Sequence, residues 1–259
     1  MYTLAETERV TITEEPQSEH VSSFRIEPLS PGYGMTLGHS LRRVLLTSLE
    51  GAAVSDVRIQ GADHEFTTVK GMTEDVVELI LNLKALRVRL EGTEPATLRL
   101  VAKGPGVVTA KDFAPHADVS IIDPDHHLAT LDKQGKLELQ VTIEKGRGYL
   151  PTEKKDREKL PIGTISVDSI FTPIKRVHYE VDHTRVGDRT DYDRLTVELT
   201  TDGTIAPAEA MAHAATILVE HFGLIRDAAQ ATVLAARESS VKPATAAKKK
   251  PAAKKKAKK

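Results

Sequence analysis

Apolar and polar positions alternate from Val21 to Pro28, which predicts a strand. It ends at Ser30-Pro31-Gly32-Tyr33-Gly34, a cluster of turn formers. The period then lengthens to that of a helix, from about Thr36 to Leu49, with Thr36 as N-cap and Gly51 where a C-terminal glycine belongs. At about 100° per residue, Leu37, Leu41, Val44, Leu45 and Ser48 share one side, a core or dimer stripe. Leu46 falls almost opposite Leu37, flanked by Arg42, Arg43 and Glu50. It is open to two readings, an isolated exposed leucine or a second docking face.

Strands are expected at Val54–Ile59 and Glu65–Val69, followed by a second helix capped by Thr73. Glu74 and Asp75 would occupy its first turn, and Val76, Val77, Ile80, Leu81 and Leu83 its apolar face. Residues 86–145 read as all-β, with strands at Leu86–Leu90, Ala96–Val101, Val119–Ile122 and Leu137–Ile143. An exposed loop is expected over Gly146–Lys159, then strands at Gly163–Ile170, Arg176–Val181 and Arg194–Thr200. Asp202-Gly203 signals a turn, and Pro207 opens the longest helical pattern, to about Arg237. Its apolar positions include Met211, Ala214, Ala215, Ile217, Leu218, Phe222 and Ile225, and Gly223 marks a kink or a close crossing. The first twenty residues are polar and acidic and read as loose chain leading into a strand.

Composition narrows the chemistry. The chain of 259 residues has no cysteine, which removes disulfides, thiolate metal sites and cysteine nucleophiles together. A polar N-terminus and the lack of any run of about 18 apolar residues argue against a signal peptide or a membrane span, so a cytoplasmic location is expected. The net charge of −1 conceals an asymmetry. Nine lysines, Lys242, Lys248, Lys249, Lys250, Lys254, Lys255, Lys256, Lys258 and Lys259, follow Ser240 with no acidic residue among them. The remaining 27 basic residues face 37 acidic ones, so the body carries about −10. A segment of Lys, Ala and Pro cannot bury apolar surface, and a disordered basic tail is expected over 238–259. Its lysines can neutralise DNA phosphates or simply solubilise the chain. Asp123-Pro124-Asp125-His126-His127 is the best metal cluster by composition, although Asp-Pro-Asp is itself turn chemistry. The glycine clusters at 103–106 and 145–148 lack phosphate-loop spacing, and no nucleophile elbow is present.

An ordered set of motifs carries a resemblance. Phe24-Arg25-Ile26-Glu27-Pro28-Leu29, Gly32-Tyr33-Gly34-Met35-Thr36-Leu37-Gly38 and Leu41-Arg42-Arg43-Val44-Leu45-Leu46 come first. Leu81-Asn82-Leu83-Lys84, Gly146-Arg147-Gly148-Tyr149, Pro161-Ile162-Gly163, Asp202-Gly203-Thr204-Ile205 and Ala214-Ala215-Thr216-Ile217-Leu218 follow in register. Together they resemble the alpha subunits of bacterial RNA polymerase over roughly residues 20–235.

That resemblance implies an α+β fold with a discontinuous dimerisation subdomain, residues 1–50 and 173–237, and an inserted mostly-β subdomain, residues 51–172. It implies a homodimer that recruits the beta and beta-prime subunits. Leu37, Leu41, Val44, Leu45, Met211, Ala214, Ile217, Leu218, Phe222 and Ile225 would lie at the dimer interface. Arg43 and Leu46 match positions that contact beta, and Val167, Asp168, Pro173 and Arg176 lie in the segment matching a beta-prime contact. No cofactor is expected on this chain, since the catalytic Mg would sit on another subunit, and the complex would be associated with the nucleoid. The family usually continues into a DNA-binding helical domain, which this sequence is expected to lack. Two rivals stand beside this reading: a free-standing basic-tailed DNA-binding protein, and an enzyme built around Asp123–His127.

Overall fold

Phe24, Ile26 and Leu29 bury one face of Val21–Leu29 (β2), which pairs with Thr11–Ser18 (β1) on one edge and Arg189–Thr201 (β14) on the other. The computed structural model describes residues 10–155, 161 and 163–240, with side chains to residue 233. Ile174–Val186 (β13) completes an antiparallel sheet of order β1-β2-β14-β13. β1 falls in the stretch expected to be loose, because every one of its residues is exposed and no apolar alternation announces it. β13 and β14 form one long hairpin turning at Gly187 (φ 62), longer at both ends than their apolar cores suggest.

Helix α1 (Tyr33–Thr47) lies across the inner face of this sheet. It starts earlier than the capping rule for Thr36 implies: the N-cap is Gly32, in the left-handed region at φ 84. The capping acceptor comes from far along the chain. Buried Asp193 of β14 accepts the amides of Gly32 (2.8 Å) and Gly34 (3.0 Å) on Oδ2. The Thr36 hydroxyl instead donates back to the Gly32 carbonyl. Gly34, Gly38, Leu41 and Leu45 form the buried stripe at helical spacing. A Cβ on Gly38 would lie 2.6 Å from the Tyr179 ring and 2.9 Å from Leu195, so the helix backbone rests almost directly on the sheet. Leu45 is fully buried among Phe24, Leu195, Val197 and Leu199, a burial worth about 1.5–3 kcal/mol.

Glu50–Ile59 (β3) opens a second sheet. Gly51 lies within this strand, pressed against the Phe171 carbonyl, and does not terminate α1. Its neighbours are Val88–Leu90 (β4), Ala96–Lys103 (β5), Val119–Ile121 (β7), Lys136–Arg147 (β9) and Thr164–Ser166 (β11), in order β5-β9-β3-β4-β7 with β11 on β3. Gly106–Thr109 (β6) pairs with His127–Leu131 (β8), and Tyr149–Leu150 (β10) with Ser169–Ile170 (β12). The expected strand Glu65–Val69 is irregular chain with Phe66 80% exposed. Helix α2 (Val76–Ala85) is capped by Asp75, which accepts the Glu78 amide at 2.7 Å; Thr73 plays no such part. Its buried face is Val76, Leu79 and Leu83, while Val77 and Leu81 are exposed, so the wheel drawn from sequence is rotated.

Among the described residues the hydrophobic interior comprises two clusters. One contains buried residues between Val54 and Val167; the other joins Phe24–Leu49 to Ile174–Ala214. Among the described residues, those up to Leu218 form one compact unit and those from Val219 a second. Helix α3 (Pro207–Ser240) starts in the first unit, with Ala210 and Ala214 buried, and continues through 238–240, expected to be tail.

The expected loop over Gly146–Lys159 is largely ordered, with Asp156–Leu160 outside the described residues. Lys155 anchors it: Nζ donates to the carbonyls of Ser55 (2.6 Å) and Val167 (2.7 Å) and to Ser169 Oγ (3.0 Å). Burial holds the pKa of this ammonium below the ordinary lysine range, although Asp56, Glu144 and Asp168 pull the other way. Asp168 interrupts the expected strand Gly163–Ile170. Its carboxylate accepts the Thr152 amide (2.9 Å), Lys84 Nζ (3.1 Å) and the Tyr149 hydroxyl (3.0 Å). The Thr152 amide, with Lys84 and Tyr149, lowers its pKa from 3.8 to about 2 against the opposing effect of burial.

Gly38→Ala should lower the melting temperature by several degrees: overpacking costs about 1–3 kcal/mol, against a helix-propensity gain of about 1 kcal/mol. A thermal melt in which the variant gains stability would contradict the close approach. Because the folded-state pKa of Asp168 is depressed, its contribution is complete above 3.8 and is lost as pH falls through about 2. Asp168→Asn should therefore melt below the parent near neutral pH, with the gap closing across that acid window.

Candidate protein-docking surface

The structure divides the expected interface residues into two groups. Leu41 (7% exposed), Val44, Leu45 and Ala214 are buried within one chain, so they form core and cannot supply contact area to a partner. Leu37, Met211, Ile217 and Leu218 are half-buried against the same core. Phe222 (60% exposed) and Ile225 (64%) stand free on α3, where Val219, Leu224 and Val233 are exposed too. Leu218, Phe222 and Ile225 follow helical spacing, and side chains this apolar in water call for a cover. Among the described residues nothing lies within 4 Å of a Cβ built on Gly223 beyond its own helix.

On α1 the outer face is built as the helical wheel requires. Arg42 and Arg43 are exposed, and among the described residues neither has an intrachain ion-pair or hydrogen-bond partner through its side chain. Leu46 is half-buried and packs partly on the core beneath. Met35 (57% exposed) and His39 continue the same face at i, i+4, i+7 and i+11 with Arg42 and Leu46. Met35 lies ahead of the helix start expected at Thr36, and a lone histidine at 39 carries no apolar signal.

The segment matched to a beta-prime contact is only partly available. Val167 is 1% exposed and Pro173 is buried, packed beside Gly51 at the passage between the two cores. Both are therefore corrected from surface to interior positions. Asp168 retains a partly exposed carboxylate, ion-paired to Lys84. Lys84 Nζ also sits 5.5 Å from the centre of the exposed Tyr149 ring. Arg176 is exposed.

The composition-based metal cluster does not converge. The Asp123 carboxylate accepts the Asp125 amide in a turn. His126 Nε2 bonds the Asn82 carbonyl at 2.9 Å, and His127 Nε2 faces Glu74 at 3.5 Å. Burial raises the Glu74 pKa, but bonds from Thr130 outweigh it and leave the group below the usual carboxylate range. Among the described residues no group of three or more His, Asp or Glu is placed to hold a metal ion, and no helix is long and apolar enough to cross a membrane. The expected phosphate-contacting lysines, Lys248 to Lys250, Lys254 to Lys256, Lys258 and Lys259, lie outside the described residues.

Comparison with known proteins agrees with this geometry. Residues 57–172 match the family described as RNA polymerase Rpb3/RpoA insert domain, which coincides closely with the second core. A DNA-directed RNA polymerase subunit alpha from Alkaliphilus oremlandii is 51% identical over 216 residues, 83% of this chain and 68% of the relative. Proteins of the same name from Symbiobacterium thermophilum and Paenarthrobacter aurescens are 55% and 53% identical. These matches cover 78% and 85% of this chain, and 64% and 66% of the relatives. The chain thus spans about two thirds of the length of such relatives. An α+β body carrying the insert domain, with identity near one half over most of its length, belongs to the family of DNA-directed RNA polymerase alpha subunits.

Proposed function

We propose that this chain is an assembly scaffold for a DNA-directed RNA polymerase: it pairs with a second copy, and the pair recruits the beta and beta-prime subunits. The observation that carries this reading is the two-sided character of α1. One side is committed to the chain's own sheet by Gly34, Gly38, Leu41 and Leu45, and the other presents Arg42 and Arg43 to solvent beside half-buried Leu46. Guanidinium groups beside a half-buried leucine suit a partner surface with carboxylates around an apolar pocket.

The exposed apolar residues of α3 support pairing with a second copy, because an identical helix supplies a matching apolar face. Lys84, Asp168 and Arg176 mark the side facing beta-prime in this reading, with Val167 and Pro173 shaping that surface from beneath. The chain contributes no catalytic group, and the Mg used in nucleotide addition belongs to another subunit. The lysines beyond Ser240 add a sequence-tolerant attachment to DNA phosphates.

Co-purification tests the assignment. Arg43→Ala and Leu46→Ala should each weaken capture of the beta subunit by at least about tenfold, with the melting temperature unchanged for exposed Arg43→Ala and lowered for Leu46→Ala, whose side chain packs partly on the core. Undiminished capture by both variants would refute the beta contact.

A further inference from the structure

The turn that joins β14 to α3 gathers contacts from several distant stretches of chain. Asp202, 9% exposed, closes the turn on itself: Oδ1 accepts the Thr204 amide at 2.9 Å and hydroxyl at 2.6 Å. The Asp202 amide donates to the Pro173 carbonyl at 3.0 Å, and the Thr201 amide to that of His20 at 2.9 Å. Gly203, at φ 96, lies beneath the His20 ring and Ile122, each 3.2 Å from a Cβ built there. From the second core, Arg89 of β4 reaches out to the same turn, where Nε (3.0 Å) and Nη2 both donate to the Thr204 carbonyl. Arg87 Nε stands 3.9 Å from Asp202 Oδ2. The Arg87 carbonyl accepts the Ile122 amide at 3.0 Å, and β4 pairs with both β3 and β7, so the arginines stand on a segment that is itself held.

The covalent connections between the two cores explain why such a contact matters. The chain crosses from one to the other at Leu49–Gly51 and returns at Phe171–Ile174. These crossings run side by side, with Gly51 against the Phe171 carbonyl and the Pro173 ring. Two adjacent crossings fix a position but resist rocking poorly, which is the usual construction of a hinge. We propose that Arg87 and Arg89, closing on Asp202 and Thr204, form a latch that sets the angle between the insert and the sheet from which α3 starts. A docking surface on the insert and the exposed face of α1 are thereby held in one geometry before any partner binds. The Arg87–Asp202 pair is long at 3.9 Å, and the Asp202 carboxylate keeps its bonds to Thr204 without it, but a latch need only bias an angle. Its loss therefore appears as a spread of orientations rather than as unfolding.

The chain has no cysteine, so Lys103→Cys in the insert and Asp182→Cys in β13 of the full chain can be spin-labelled without background. Pulsed dipolar spectroscopy should give one narrow distance distribution in the otherwise unchanged protein. Adding Arg87→Ala and Arg89→Ala should broaden it at least about twofold, with circular dichroism unaltered. Arg99→Ala, which removes the Arg99–Glu138 pair between neighbouring strands of one sheet, should leave the width unchanged. An unchanged width in the double variant overturns the latch, as does equal broadening by Arg99→Ala. If the double variant loses its circular dichroism signal, Arg89→Lys decides: it keeps the charge but loses the paired donors, so absence of broadening overturns the proposal.

Discussion

Everything about the outer surface of α1 depends on how closely its inner surface approaches the sheet. Glycine at 34 and 38 removes the atoms that would separate helix from strand, and Tyr179, Val181 and Leu195 occupy that space. Asp193 then binds the free amides at the helix start, so position along the axis and rotation about it are both determined. With the rotation determined, Leu41, Val44 and Leu45 must point inward and Arg42 and Arg43 must point outward. A helix presents a constant outer face only when its rotation is fixed, and here two glycines and one carboxylate fix it.

The same elements show how far the sequence could be read. Apolar periodicity located α1, α2, α3 and most central strands, because their burial is written in spacings of two or three to four residues. β1 left no such trace: its side chains are all exposed, and it is held by backbone pairing to β2. The Asp193 cap was invisible for another reason. Capping rules look to the adjacent residue, and this acceptor is about 160 positions away in sequence. Gly51 was misread because a glycine after a helix has two physical meanings, a left-handed terminator or a close backbone approach, and only the fold separates them.

The candidate interface was legible in part. The wheel placed Arg43 and Leu46 outward, and both are at least partly accessible. It could not separate core from interface on the opposite side, since a buried residue and a dimer residue are equally apolar. Hence Leu41, Val44, Leu45 and Ala214 belong to the chain's own interior, while Phe222 and Ile225 remain uncovered. Val167 and Pro173 were proposed as contacts from motif matching, which records importance without recording whether it comes from packing. Lys155 and Arg89 drew no notice, because a lysine in a charged stretch and an arginine in a short strand look like ordinary solvated residues.

The account depends most on a second copy covering the apolar face of α3. Sedimentation velocity on the isolated chain at micromolar concentration reads this directly. The predicted result is a species of twice the chain mass that Phe222→Asp with Ile225→Asp converts to a monomer, without loss of the helical and strand signal. A parent chain that sediments as a monomer, or a double variant that stays paired, would contradict it.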